Sequence, residues 1–214
     1  MNKLLSTIIA LFFIVPTLVA QKTVEFPYSA AFGMVPQYTA SGGLRFDIDM
    51  RISKKSNQWL IVSPQVYMLS GDRFLHDINE LTGFGLDVKH KIYIKPNAMK
   101  PEGFYVQYGV MLQHFAITDE RYHSYSYIEN GVEYFGVTYG ETKTQLNKFG
   151  GNFHLGYQWI VGDRIYVDLY AGPGIRLSKN NISDGFDTLF NDYWVDYGYS
   201  GTLLDAGFRI GFYF

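Results

Sequence analysis

The stretch that decides the fold is LRFDIDMRIS, residues 44–53, in which apolar and polar side chains alternate without interruption. Successive side chains of a β-strand point to opposite faces, whereas the apolar positions of a helix recur at three and four residues. The apolar set is Leu44, Phe46, Ile48, Met50 and Ile52, and the polar set is Arg45, Asp47, Asp49, Arg51 and Ser53. The stretch therefore predicts a strand with one apolar wall and one ionic wall.

The same alternation recurs along the rest of the chain. Clear repeats of it occupy residues 84–95, 149–159, 165–177 and 204–214, and weaker ones occupy 24–33, 58–69 and 104–116. Proline cannot donate to a ladder of backbone hydrogen bonds, so Pro27, Pro64 and Pro173 predict bulges or strand ends. The total is about eight strands.

The connections between these segments alternate in length. Short ones lie at 54–57, 96–103 and 161–163, and long ones lie near 71–81, 117–145 and 178–199. Outer-membrane barrels have short turns at one end and long loops at the other. The predicted fold is accordingly all-β, an up-and-down antiparallel transmembrane β-barrel of about eight strands.

The direction in which the apolar face points separates a membrane barrel from a soluble one. A soluble sandwich or a lipocalin-like barrel would turn that face inward. Here the stripes are about ten residues long, which suits a tilted crossing of a bilayer. Charge is almost absent from the apolar face, and His90 is the exception. Aromatic residues suited to a membrane interface are expected at the stripe ends: Tyr28, Trp59, Phe84, Tyr157, Trp159 and Phe214.

The N-terminal segment has the features of a cleaved signal peptide. Lys3 precedes an apolar run over residues 4–15, and Ala20 is a suitable last residue before cleavage. The alternative, a transmembrane anchor, needs about 20 apolar residues, which exceeds this run. We expect residues 1–20 to be removed and residues 21–214 to form an outer-membrane β-barrel domain in the bacterial outer membrane.

Composition excludes several functional classes. The chain has no cysteine, which excludes a disulfide scaffold, a thiolate metal site and a cysteine nucleophile. Its formal net charge is −2 and it has no long basic run, so nucleic acid is not an expected partner. The acidic residues of the last long loop, Asp184, Asp187, Asp192 and Asp196, do not have the spacing of a Ca²⁺ loop, and no cofactor or metal is expected.

Three motifs carry a resemblance to a known class of proteins. They are FRIGFYF at 208–214, GYQW at 156–159 and YAGPGI at 170–175. The chain resembles small outer-membrane barrels of the OmpX and OmpA transmembrane type and of the outer-membrane β-barrel domain family. The resemblance implies outer-membrane lipids and the outer-membrane assembly machinery as partners, a monomeric state, and an assembly signal formed by Phe208, Ile210, Phe212 and Phe214.

The ionic face is expected to fill the barrel interior, because eight strands enclose only enough room for side chains. Opposite charges would then pair across neighbouring strands, since an unpaired buried charge is costly. The expected set is Arg45, Asp47, Asp49, Arg51, Asp87, Lys89, Lys91, Lys148, Asp168, Arg176, Asp205 and Arg209. A proton or ion path through this set, or a narrow porin-like channel, is disfavoured by the strand number.

The sequence offers two candidate catalytic arrangements, and structural roles for the same residues are the alternative. His154 is expected near Asp168 across a 149–159/164–177 hairpin, where a structural hydrogen bond is favoured over a general base. A lipid-modifying enzyme of the acyl hydrolase type would need a nucleophile, base and acid at the outer rim. His114, Glu120, Ser124 and Ser126 are the rim candidates, and no spacing selects them. The leading expectation is therefore a non-enzymatic protein.

The long loops are the preferred place for binding, because rigid scaffolds commonly carry function on loops. Residues 117–145 contain five tyrosines suited to a contact surface, Tyr122, Tyr125, Tyr127, Tyr134 and Tyr139. Two interpretations remain open for them: a surface that binds an extracellular protein or glycan, and a continuation of the strands above the membrane. The expected function is structural, with surface binding or adhesion through these loops.

Overall fold

The protein is a closed antiparallel barrel of eight strands. The structure, a computed structural model, describes residues 27–53, 57–70, 78–94, 100–182 and 196–214. The strands are β1 (Ala30–Met34), β2 (Gly43–Arg51), β3 (Gln58–Ser70), β4 (Glu80–Tyr93), β5 (Gly103–Glu129), β6 (Val132–Val161), β7 (Ile165–Ile182) and β8 (Gly201–Tyr213).

Each strand pairs with the next one in the sequence, and β1 pairs with β8 to close the barrel, for example at Ala31 and Tyr213. The predicted all-β, up-and-down architecture with eight strands is confirmed. No helix in the described part of the chain is long and apolar enough to cross a membrane. The predicted signal peptide, residues 1–20, lies outside the described residues.

The two ends of the barrel differ. At the short-turn end, where β1 begins and β8 ends, β6 and β7 are joined by a tight turn in which Gly162 has a φ of 68°. At the long-loop end, a 3₁₀ turn, Pro36–Ser41, joins β1 to β2 and ends at Gly42 in the left-handed conformation. The connections predicted to be short and those predicted to be long therefore lie at opposite ends of the barrel.

The long connection predicted at 117–145 is not a loop. β5 and β6 continue through it and meet at Asn130 and Gly131, whose φ angles are 52° and 79°. Positive φ at both central residues is typical of a type I′ turn, the turn that Asn-Gly favours between paired strands. Of the two interpretations of the tyrosines, the structure has the continuing strands.

Two prolines lie inside strands and end neither of them. Pro64 pairs with Leu86 of β4, and the β2–β3 ladder is interrupted between Arg45–Gln65 and Ile48–Val62. Pro173 pairs with Leu204, and an interruption lies on its β6 side. The register is the same before and after each gap, so the prediction of strand ends or bulges is wrong at both positions. Each proline lacks an N–H, and the strand that carries it is unpaired at that point on one of its two sides.

Burial is inverted relative to a water-soluble protein. Outward-facing Ile48, Leu169 and Phe212 are 39%, 48% and 48% exposed, whereas inward-facing Asp47 and Asp168 are 1% and 0% exposed. This is the arrangement expected from an apolar outer wall, not from a lipocalin-like core. The prediction of an interfacial position is wrong for Trp59, which faces inward and is 1% exposed, because it shares the odd-numbered face of β3 with Ile61 and Ser63. Tyr28, predicted in the same set, stacks on the inward-facing Tyr213.

Candidate functional site

The middle of the barrel holds a connected layer of ion pairs, which we call the ionic layer. Arg209 of β8 lies at its centre and contacts Asp168 on the neighbouring strand β7. Across the interior, its Nη1 lies 3.0 Å from Asp47 and 3.4 Å from Asp49 of β2. A single guanidinium thus bridges carboxylates from two strands, which suits its fixed fork of five donors.

The ionic layer continues through the strands on the other side of the barrel. Arg45 pairs with Asp47 at 2.8 Å and with Asp87 at 3.0 Å, and Lys89 lies 3.5 Å from Asp87. Lys91 pairs with Asp168 at 3.0 Å. Charges of both signs are interleaved within strands, as in Arg45–Asp47, and between strands, as in Lys91–Asp168, so the buried charges of this layer have partners of opposite sign.

Four residues of the predicted charge set, Arg51, Lys148, Arg176 and Asp205, lie outside the ionic layer. Arg51 is half-buried near the short-turn end. Asp205 accepts a hydrogen bond from His154. Arg176 lies toward the long-loop end and, like Lys148, lines a cavity described below.

Below the ionic layer, the short-turn end is filled by an aromatic cluster. Its fully buried members, which we call the aromatic floor, are Trp59, Tyr93, Tyr105, Tyr166 and Tyr213. Tyr105 donates a hydrogen bond to Asp168, and Gln158 donates one of 2.6 Å to the Tyr213 hydroxyl. Side chains lining a water-filled channel would be exposed to it, and these are 0–1% exposed. Sequence reasoning missed this floor, although its signal is visible: tyrosines at positions in register with the interior charges.

His154 does not pair with Asp168. Its Nε2 lies 3.1 Å from Asp205 of β8, and its Nδ1 lies 2.9 Å from Gln107. The register explains the difference: Asp168 pairs with Gln158, and His154 precedes Gln158 by four residues on β6. Gly172 lies on β7, between β6 and β8, and because it has no side chain His154 has room to reach Asp205.

The rim candidates for an acyl hydrolase are not brought together. His114 faces outward and contacts Asn147 at 2.8 Å, while Glu120 accepts a hydrogen bond from Tyr139. They are six residues apart on one strand, a separation of about 20 Å, and Ser124 and Ser126 lie still further along β5.

No group of metal-ligating residues is present in the described ranges. Of the acidic loop residues, Asp184, Asp187 and Asp192 lie outside the described residues, and Asp196 is buried.

His90, the exception on the apolar wall, is accommodated by hydrogen bonding. Its Nδ1 lies 2.7 Å from the Tyr108 hydroxyl, and its Nε2 lies 3.0 Å from Oε1 of Gln58. Both neighbours come from strands that pair with β4. The three polar groups therefore satisfy one another on the outer wall, near the short-turn end.

The residues compared with an assembly signal share one wall. Phe208, Ile210, Phe212 and Phe214 face outward along the last strand and are 37–56% exposed. β8 closes the barrel against β1, where Phe212 pairs with Phe32 and the backbone N–H of Phe214 donates to the carbonyl of Ala30.

Beyond the barrel wall, β5 and β6 form a two-stranded ribbon. β4 begins opposite Thr118 and β7 ends opposite Thr144, so among the described residues the pairs from Asp119–Thr142 to Glu129–Val132 have no further strand beside them. This ribbon is about 35 Å long at the usual rise per residue. It projects from the long-loop end.

Both faces of the ribbon carry exposed aromatic or apolar side chains. On one face, Tyr127 stacks on Tyr134 and on Tyr125, with ring centroids 5.2 and 6.2 Å apart. On the other, Tyr122 packs against Tyr139. The outward-face apolar residues are 56–78% exposed: Tyr122, Ile128, Phe135, Val137 and Tyr139.

No protein-family model matches the chain, and no curated protein matches it in sequence. Among solved structures, the barrel is similar to the crystal structure of Acinetobacter baumannii CarO, with 10% sequence identity, a TM-score of 0.42, and coverage of 87% of this chain and 98% of that one. It is also similar to Acinetobacter baumannii CarO2, with 12% identity, a TM-score of 0.40, and coverage of 91% and 100%.

Proposed function

We propose that this chain is a non-enzymatic barrel protein of the bacterial outer membrane that displays the β5–β6 ribbon as an extracellular contact surface. The observation that carries the proposal is the inverted burial of the barrel. An ionic interior inside an apolar wall is stable only if hydrocarbon, not water, surrounds that wall.

The closed barrel supports a membrane position in a second way. Every backbone N–H and C=O in hydrocarbon needs a partner inside the protein, and the pairing of β1 with β8 at residues 31–34 and 210–213 joins the two edges of the sheet there. The short-turn end then faces the periplasm, and the ribbon extends outward from the cell surface.

Fractionation tests this position. The full-length protein should be recovered with the outer membrane, and it should migrate differently on a denaturing gel before and after boiling, because a closed barrel resists detergent unfolding. Recovery as a soluble periplasmic protein without heat-modifiable migration would overturn the proposal.

The ribbon is the part of the molecule most suited to recognising an extracellular protein or glycan. Tyrosine offers a large contact area at a low cost in side-chain entropy, and exposed apolar patches commonly mark interaction sites. The ribbon presents such residues on both faces, and its two strands pair with each other along their whole length, so a ligand would meet a preorganised surface.

A shortened protein separates the ribbon from the barrel. Replacing residues 122–139 by Asn-Gly joins Arg121 to Gly140, a pair in the native register, by the same type of turn. We expect this variant to retain heat-modifiable migration and to lose binding of whole cells to arrays of extracellular proteins and glycans. Binding at the level of the full-length protein would contradict the role of the ribbon.

A matched pair of substitutions identifies the face that is used. Tyr122 and Tyr139 replaced by serine alter one face, and Tyr125 and Tyr134 replaced by serine alter the other. A loss of binding in only one of these variants would assign the contact to that face.

A further inference from the structure

A cavity of about 400 Å³ lies at the long-loop end, above the ionic layer. We call it the mouth cavity. Its walls come from the 3₁₀ turn, β3, β5 to β8 and residues 196–197. They combine two cations and two carboxylates with aromatic side chains: Lys148, Arg176, Asp196, Asp205, Tyr38, Tyr67, Phe115 and Tyr197.

The mouth cavity also reaches the outer wall of the barrel. β1 ends at Met34, opposite Ile210, whereas β8 continues to Gly201. The upper part of β8 therefore faces the 3₁₀ turn instead of a strand. Along this edge the cavity is lined both by inward-facing Asp205 and by outward-facing Leu204, which is 70% exposed. A ligand with an apolar part can thus enter from the side as well as from the end.

Lys148 is the unusual residue of this cavity. It is 5% exposed, and its ammonium group lies 5.4 Å from the centre of the Phe115 ring. Among the described residues it has no hydrogen bond or ion pair. This contrasts with the ionic layer, where Lys89 and Lys91 each have a carboxylate within 3.5 Å.

Arg176 lies beside Lys148 on the neighbouring strand. Gly150 is the partner of Arg176, and Ser178 is the partner of Lys148, so the two cations occupy diagonal positions on the inward face. Side chains in such positions are within reach of one another. Asp205 and Asp196 also line the cavity, but Asp205 is held by His154 at 3.1 Å.

An unpaired buried cation is costly, and two adjacent cations repel each other. Such an arrangement is stabilised when an anion binds between them. The aromatic walls add the second requirement, because they favour a ligand whose remaining body is apolar.

We propose that the mouth cavity binds an amphipathic anion, with its carboxylate or phosphate group between Lys148 and Arg176 and its apolar body against Tyr38, Phe115 and Tyr197. The same chemistry has two sources: a soluble organic anion that enters from the long-loop end, and the phosphate of a membrane lipid that enters beside β8. This site is separate from the ribbon, and binding at it does not depend on the ribbon's function.

The proposal is tested on the full-length mature chain in a non-ionic detergent. Binding of 4-fluorobenzoate is followed by fluorine NMR, with neutral 4-fluorobenzamide as the matched ligand control. Inorganic phosphate and a short-chain phosphatidic acid are titrated by calorimetry. We expect saturable binding of at least one anion, weakened by salt because the attraction is electrostatic, and no saturable binding of the amide.

Lys148→Met removes the charge and keeps the length of the side chain, and we expect it to weaken anion binding by about tenfold or more, as for the loss of a charge-assisted hydrogen bond. Arg176→Gln should do the same. Lys143→Met, at a lysine whose side chain is 72% exposed on the same strand, is the control and should leave binding unchanged.

The outcomes are distinct. Binding of fluorobenzoate or inorganic phosphate assigns a soluble ligand, and binding of phosphatidic acid alone assigns a lipid. Lys148→Met should also unfold at the same or a higher urea concentration than the parent, because it removes an unpaired buried charge. The proposal is overturned if no anion binds the parent chain, or if both cavity variants bind as the parent does.

Discussion

The lower and upper parts of β5 and β6 follow the same alternation and differ completely in burial. Within the barrel, Tyr105 and Phe115 face inward and are 0% and 1% exposed. In the ribbon, Tyr125 and Tyr127 continue the same inward face and are each 47% exposed. The difference is the presence of neighbours: β4 and β7 flank the lower parts and do not reach the ribbon.

The comparison teaches that alternation alone does not create an interior. A two-stranded ribbon is marginally stable in water, whereas a closed sheet buries one face whatever its chemistry. In this protein, closure of the barrel buries charged side chains, and those of the ionic layer are paired with charges of opposite sign. Perturbations should therefore be severe in the barrel and mild in the ribbon.

The largest effect is expected from Arg209→Met, because this residue contacts Asp47, Asp49 and Asp168. Its loss leaves three buried carboxylates without their shared cation. We expect the free energy of unfolding to fall by about 3–5 kcal/mol, measured by urea unfolding in lipid vesicles with the gel shift as readout.

The control for this change is Lys143→Met, which removes an exposed ion pair with Glu141 at the base of the ribbon. The free energy of unfolding should change by less than about 1 kcal/mol. Equal effects of the two substitutions would show that the ionic layer does not stabilise the barrel.

An intermediate effect is expected from Gly172→Ala in β7. A Cβ atom there would lie 2.0 Å from the carbonyl oxygen of Phe153, a backbone atom of β6. We expect a loss of about 1–3 kcal/mol from overpacking in the same unfolding measurement. Gly174→Ala is the matched control, since its nearest heavy atom would be 3.5 Å away. If both variants unfold at the same urea concentration, the close approach of β7 to β6 at Gly172 does not require a glycine there.

The smallest effect is expected from Gly131→Ala at the tip of the ribbon. This glycine has a φ of 79° and open space around its Cβ position, so only backbone strain of about 1 kcal/mol is introduced. Amide hydrogen exchange should accelerate in the ribbon, while the urea midpoint of the barrel should not move. A shifted midpoint would mean that ribbon and barrel unfold together.

The fold was largely predictable because each barrel strand buries one chemistry and exposes the other. In residues 44–53 and 204–214 the division between apolar and polar faces is visible as a strict alternation in the sequence. The extent of β5 and β6 was not predictable from that division, since above Asp119 and Thr142 both faces of the ribbon carry exposed aromatic or apolar side chains. The signal for the hairpin is the Asn-Gly turn at Asn130 and Gly131, not an alternation of apolar and polar residues.

The interior was predictable in composition and not in its partners. The inward charges follow from alternation, but the choice of Asp205 over Asp168 for His154 depends on register and on the absence of a side chain at Gly172. Trp59 was misplaced because an aromatic ring suits both an interface and a packed interior. Side-chain type alone does not separate those two positions.

The central claim is that the outer wall of the barrel contacts lipid tails while the ribbon lies in water. The chain has no cysteine, so a spin label can be placed singly at Leu169→Cys in the wall and at Val137→Cys in the ribbon. With the protein in lipid vesicles, the label at 169 should be accessible to oxygen and protected from a water-soluble nickel chelate, and the label at 137 should show the reverse. Equal access of the nickel chelate to both labels would contradict the claim.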